Sequence, residues 1–294
     1  MYITLIIYFA LIIVGLCMGS FAAASVWRLR ARQLVEDKDS GEEYDMKEYE
    51  KLKKLTKKSV VNDRSQCLHC SYELQWYDLI PIFSWVFLKG KCRKCRRPIG
   101  FFEPLMELGV AAFFAFSYIF WPYQLTSWTA IASLIIWMIS GVMLAVLFAY
   151  DKKWYVLPDQ LNFALVGVGL LSSILVVISA NDKIAALINI GLSIFVLSGI
   201  YFVLHAVSKG KWIGFGDVKL GLGLALLLAD WQLSVLALFL ANLIGCILVI
   251  PGLATHKLKK DSRIPFGPLL IIGTVVSLLA GKYIINLYLG CLVF

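Results

Sequence analysis

Gly214-Phe215-Gly216-Asp217-Val218-Lys219 opens an apolar stretch that runs to residue 251 and breaks only at Asp230-Trp231-Gln232. One membrane-spanning helix uses about 20 residues to cross ~30 Å of hydrocarbon. Residues 218–251 are too long for a single span, so the Asp230 break divides them into two. The first half is short: from Asp217 to Asp230 is about 20 Å of helix at 1.5 Å per residue. Asp217 is therefore expected below the membrane surface, with the glycine-rich approach completing the crossing. Irregular backbone at that depth survives only where protein or a watery cavity receives it. An ionisable group there is costly and marks a functional site by default.

Working outward, apolar runs of spanning length occur at about 2–26, 101–122, 127–149, 161–180, 184–206, 214–229, 232–252 and 266–290. The composition agrees: 60% of the 294 residues are hydrophobic and 16% charged, with a mean hydropathy of +0.79. Soluble domains average about 45–50% apolar and 25% charged. The expected fold class is an all-α polytopic membrane protein of about eight transmembrane helices with a small cytoplasmic loop domain. Its expected parts are a first transmembrane helix (1–26), a cytoplasmic loop domain (27–100) and a seven-helix membrane domain (101–294).

Charge sets the orientation. Seventeen of the 28 lysines and arginines lie in 27–100, and most others fall in 150–160, 207–217 and 253–265. The intervening turns offer little beyond Lys183 and Lys282. Basic loops stay cytoplasmic, which predicts an N-terminus outside and an uncleaved first span, its arginines following the apolar run instead of preceding it. The net charge of +9 then reflects an anionic inner leaflet as partner. No basic stripe is interleaved with a stacking platform, so no nucleic-acid partner is expected. The same topology places Asp151, which closes the 127–149 run, on the side of Asp217.

Cys67-Leu68-His69-Cys70 and Cys92-Arg93-Lys94-Cys95 form two CxxC pairs within the first loop. Two such pairs match a tetrahedral four-cysteine zinc site, and a reducing cytoplasm favours metal ligation over disulfides. Four protein ligands leave no open position, so this zinc is structural. Cys17, Cys246 and Cys291 read as buried small residues of spans. Glu36 to Lys58 reads as a charged spacer, either a solvated helix or a flexible excursion.

The chain resembles the type IV prepilin leader peptidase/N-methyltransferases, a family of intramembrane aspartyl proteases. The matching residues are Gly19-Ser20-Phe21, Arg28-Leu29, Arg64-Ser65-x-Cys67-x-x-Cys70, Tyr77-Asp78-Leu79-Ile80-Pro81, Gly90-x-Cys92-x-x-Cys95 and Glu107. They continue as Asp151, Leu157-Pro158-Asp159, Gly214-Phe215-Gly216-Asp217-Val218-Lys219 and Ile264-Pro265-Phe266-Gly267-Pro268. The resemblance covers residues 19 to 268. It implies a bacterial inner-membrane enzyme that removes the short basic leader of prepilins or pseudopilins at the cytoplasmic face. Bifunctional members then methylate the new N-terminal amine with S-adenosylmethionine. The chain departs from the family where Ala22-Ala23-Ala24 replaces Leu-Asn-Val, where Lys153 replaces a second aspartate, and in its longer charged insertion.

In an aspartyl protease one carboxylate activates water while a protonated partner polarises the scissile carbonyl. Two neighbouring carboxylates share one proton because like charges resist joint ionisation. Asp151 and Asp217 are the expected catalytic pair. Gly214 and Gly216 are expected to allow close backbone approach or an unusual turn, and Gly221 and Gly223 to serve helix packing. Asp159 reads as a helix N-cap or orienting residue. Lys219 either tunes the pair or snorkels to the headgroups. Glu103 and Glu107 either stabilise the cationic amine or sulfonium of methyl transfer or pair with the basic loop. His205 and His256 read as structural. Two other classes compete: a proton-coupled transporter using the aspartates as a relay, and an idle scaffold for a pilus or secretion machine.

Overall fold

The computed structural model describes residues 2–56, 64–254 and 264–292. Lys57, Lys58, His256, Lys257, Lys259, Lys260 and Arg263 lie outside the described residues, as does the side chain of Cys291. Among the described residues the chain is helical, with two isolated β-bridges, Gln66 with Glu73 and Lys91 with Pro98. Seven helices among the described residues are long and apolar enough to cross a membrane, Lys183–Ser208 counting as one. The remaining apolar helix, Phe215–Leu228, has only 14 residues, as the Asp217-to-Asp230 spacing requires. The chain forms two compact units, Met1–Ala115 and Phe116–Phe294.

In the first unit, α1 (Tyr2–Ser40) runs far beyond the apolar segment that was expected to end it. The charged excursion folds back along this extension. Asp45 caps α2 (Met46–Leu52) by accepting from the Lys47 and Glu48 N–H groups. Leu52 then packs against Ala31 and Leu34, and Arg30 meets Glu48 at 2.7 Å. Part of the spacer is thus packed structure. After α3 (Phe83–Phe87) comes α4 (Phe102–Ile119). Glycines bring α1 and α4 into backbone contact: a Cβ on Gly15 would lie 2.6 Å from the Ala111 Cα, and one on Gly19 2.5 Å from the Glu107 Cα. Cys17, expected to be buried, is exposed, as is Cys246 in the second unit. Small side chains on a lipid-facing surface need no core.

The second unit holds α5 (Trp128–Trp154), α6 (Asp159–Ser179), α7 (Lys183–Ile194), a π-helical turn at Phe195–Gly199 and α8 (Ile200–Ser208). It continues with α9 (Phe215–Leu228), α10 (Trp231–Ala254) and α11 (Gly267–Leu292). An apolar helix with no polar face belongs in a core, and α9 is wrapped by its neighbours. Serine hydroxyls donate to three of its carbonyls: Ser173 to Leu226 at 2.7 Å, Ser193 to Ala225 at 2.8 Å and Ser198 to Val218 at 3.0 Å. Gly221 and Gly223 do serve packing: Cβ atoms there would meet the Leu197 carbonyl at 2.1 Å and the Leu165 side chain at 3.0 Å. Ala229, with φ 50°, ends α9. Asp230 then accepts from the Gln232 and Leu233 N–H groups to start α10.

Candidate active site and metal centre

Three helix ends meet around the two aspartates of the second unit. Asp151 lies in the last turn of α5 and is 5% exposed. The turn closes with Tyr155 at φ 57°, whose N–H returns to the Asp151 carbonyl. Asp217 is the third residue of α9, after Gly214 as N-cap, and its Oδ2 would lie 3.6 Å from a Cβ at Gly214. Gly267 begins α11 and donates its N–H to Asp151 Oδ2 at 3.1 Å. Asp151 is thus held by a glycine N–H, Asp217 folds back beside its own N-cap glycine, and the two are near enough for Asp151's charge to act on Asp217.

The glycines act by closeness more than by unusual torsions. Gly214 sits at φ −72°, ordinary extended backbone, so no special turn occurs there. A Cβ on Gly216 would lie 3.2 Å from Leu157. At Gly267 it would lie 2.7 Å from Asp151 Oδ2, so the carboxylate occupies space that only glycine leaves.

The other expected residues lie at the rim. Asp159 is not an N-cap: Pro158 holds that position without a side-chain bond. The Asp159 carboxylate instead accepts from Lys219 Nζ at 2.7 Å. The ammonium also lies over the rings of Phe163 and Phe215, which ties α6 to the start of α9. His205 anchors the approach to α9, its Nδ1 2.9 Å from the Ile213 carbonyl and its ring 5.4 Å from that of Phe215.

Tyr201 and Asn162 were not anticipated from the sequence. Tyr201 is 4% exposed; its ring meets Phe266, it lies within reach of the charge of Asp217, and its hydroxyl has no protein partner. Asn162 is fully buried, with both amide atoms unpaired. A lone tyrosine in an apolar run gives no signal in one sequence. The buried asparagine after Leu-Pro-Asp is a signal that hydropathy averaging hides.

In the first unit the four cysteines do converge. Their sulfurs lie within 4.8 Å of one another, with Cys67–Cys95 and Cys70–Cys92 each at 3.9 Å. A tetrahedron with 2.3 Å metal–sulfur bonds has edges of about 3.8 Å, so the cluster can hold a metal ion. Two matching knuckles build it. Ser71 N–H returns to the Cys67 carbonyl and Cys67 N–H bonds Tyr72; Arg96 and Cys92 repeat the pattern with Arg97. Ser71 and Arg96 carry φ of 58° and 57°. Burial pushes the Cys67 thiol up to about 12. For Cys92 burial acts the same way but is outweighed by the Cys95 and Lys94 N–H groups, and the thiol falls to about 7.

The first unit also contains a cavity of about 340 Å³, lined in part by Ala23, Ala24, Trp27, Trp85, Glu103 and Glu107. That lies within the usual range for small-molecule sites, roughly 300–1,000 Å³. Glu103 Oε1 accepts from the Trp27 indole at 3.2 Å, while its buried Oε2 has no partner. Glu107, 6% exposed, accepts from the Ile82 N–H at 2.7 Å.

Comparison with known proteins follows this division. Residues 13–121 match the Bacterial Peptidase A24 N-terminal domain, and residues 138–250 match the Type IV leader peptidase family. The chain is 31% identical over 281 residues to a prepilin leader peptidase/N-methyltransferase of Pseudomonas aeruginosa, covering 95% of this chain and 92% of the relative. It is 32% identical to the Aeromonas hydrophila protein of that name, over 79% and 76% of the two chains. The Bacillus subtilis protein of that name is 27% identical over 79% and 87%. No solved structure matches. Seven apolar spans fit a multi-pass inner-membrane protein, and the chain belongs to the type IV leader peptidase family.

Proposed function

We propose that this protein cleaves the leader peptide from type IV prepilins or pseudopilins and then methylates the new N-terminal amine. The observation that carries the first activity is the pair Asp151 and Asp217, one buried and the other half-buried, which come from separate helix ends and lie near enough for the charge of one to act on the other. In this reading the ionised aspartate takes a proton from a water molecule. The protonated partner donates to the scissile carbonyl oxygen as hydroxide adds to carbon. Collapse of the tetrahedral adduct breaks the C–N bond, and the leaving amine receives the proton. The Tyr201 hydroxyl, buried beside Asp217 without a protein partner, positions this charge. Basic loops at this end support a site at the cytoplasmic face, with the N-terminus outside. The domain reading follows: 27–100 as a cytoplasmic zinc domain joined to a membrane part that carries the protease.

Methylation belongs to the cavity of the first unit. S-adenosylmethionine supplies an electrophilic methyl on a sulfonium. The residues present fit it: two carboxylates, one with an oxygen free of protein partners, and indole rings of the kind that attract cations. Glu103 is assigned to hold the substrate ammonium and accept its proton, and Trp27 to fix the Glu103 rotamer. Ala23 and Ala24 keep this wall open, which suits the departure at Ala22-Ala23-Ala24.

Mass spectrometry of a co-expressed prepilin tests both activities, since leader loss and a one-methyl gain are separate shifts. Glu103→Gln should leave cleavage unchanged and lower methylation about 10²-fold, within the range of a positioned acid–base group. It should also weaken binding of S-adenosylhomocysteine or the acceptor peptide in calorimetry. Unchanged methylation would remove Glu103 from the role. Gly267→Ala should push Asp151 off its N–H and lower cleavage about 10-fold or more, as expected for misplacement of about 1 Å. Tyr201→Phe should lower kcat with little change in KM; full activity in both variants would contradict the assigned geometry.

A further inference from the structure

The segment between the two knuckles sits at an unexpected depth. Ile82 N–H donates to Glu107 Oε2 at 2.7 Å, and Glu107 is not a surface residue of its helix. It lies five residues into α4, about 8 Å along the axis at 1.5 Å per residue. The first helix gives an independent count. Ser20, next to the Gly19 that touches the Glu107 backbone, precedes Arg28 by eight residues, about 12 Å of helix. Arg28, Arg30 and Arg32 mark the headgroup layer on that side. On either count Pro81-Ile82 is held below the headgroups.

The backbone there is built for such a place. Irregular chain in a membrane must satisfy its own polar groups. Pro81 has no N–H, Ile82 donates to Glu107, and Phe83, Ser84, Val86, Leu88, Lys89, Gly90 and Lys91 donate to carbonyls of this same segment. Ile82 also holds φ 61°, a costly conformation for a β-branched residue. Such strain persists only where surrounding contacts impose it. The turn then presents apolar side chains outward: Phe83 is 60% exposed, Val86 57% and Phe87 82%. Exposed lysines and arginines follow at Lys89, Lys91, Arg96 and Arg97, the order that suits an acyl layer beneath anionic headgroups.

We propose that the Ile80–Leu88 turn is a re-entrant membrane element: Phe83, Val86 and Phe87 lie among lipid acyl chains, and the basic knuckle after it contacts anionic headgroups. The inference rests on α1 and α4 being membrane spans, not on the aspartate or methyl-transfer assignments. It revises the expectation that 27–100 is a cytoplasmic loop domain, and it assigns the bilayer a part in fixing the wall of the Glu107 cavity.

The test is photo-crosslinking of the full-length protein in vesicles of phosphatidylethanolamine and phosphatidylglycerol. Benzoylphenylalanine is placed singly at Phe87, at Leu105 on the outer surface of α4, and at Met46 in α2. Phospholipid adducts, read by mass, should form at Phe87 as efficiently as at Leu105 and several-fold above Met46, with metal content unchanged. Phe83→Lys should sharply reduce the Phe87 adduct while leaving that at Leu105. Adducts at Leu105 without any at Phe87 would overturn the proposal. So would capture of a co-expressed prepilin by Phe87 in place of lipid, which would make the surface a substrate dock.

Discussion

Asp217→Asn should lower leader cleavage by about 10²–10⁴-fold, the contribution typical of a positioned acid–base group. The substitution keeps the side-chain volume and shape, so α9 should still form. Asp151→Asn should match it, because Gly267 can still donate to an amide oxygen. Since the two act as a unit, the double variant should be scarcely worse than either single one. Methylation of a synthetic peptide that already lacks its leader should survive in all three. That readout separates loss of chemistry from loss of fold. Retained cleavage in both single variants would leave a scaffold, and loss of proton-coupled uptake with cleavage intact would leave a transporter.

Removing the metal should be nearly as severe, but in the other activity. Elemental analysis of the purified protein is expected to find one zinc per chain, lost in Cys92→Ser. Structural zinc in small knuckle-like sites contributes about 10–16 kcal/mol of apparent binding free energy, more than a loop of this size gains from its apolar contacts. Loss of zinc should unfold both knuckles, seen as rapid amide exchange across 65–99, and abolish methylation while cleavage by the second unit declines less. Metal affinity should also fall as pH drops. Burial holds the Cys67 thiol up near 12, so zinc must displace its proton, and acid favours the proton. Intact exchange protection after chelation would show the knuckles to be self-supporting.

The local chemistry of the chain was legible without coordinates. The Asp230 break, the short α9, the packing glycines Gly221 and Gly223, and the two CxxC pairs are set by spacing and residue type. Other features depend on partners distant in sequence. Asp159 has the composition of an N-cap, yet Lys219, 60 residues away, takes its carboxylate. The helix then starts one residue earlier, at Asp159, with Pro158 as its N-cap. The continuation of α1 beyond residue 26 was not legible for a related reason. Hydropathy registers where lipid ends, whereas the helix continues to Ser40 because α2 packs against it.

Sequence by itself determined that this is a helical membrane protein with a clustered thiol site and two acids inside apolar runs. Hydrophobic length, charge asymmetry and ligand spacing are one-dimensional quantities, and they survive any folding. Tertiary structure alone decided that Gly267 leaves room for Asp151, that Tyr201 and Asn162 are buried unpaired, and that Ile82 is drawn to the depth of Glu107. Each of these depends on which helix surfaces touch, and contact between segments a hundred residues apart is fixed only when the core packs.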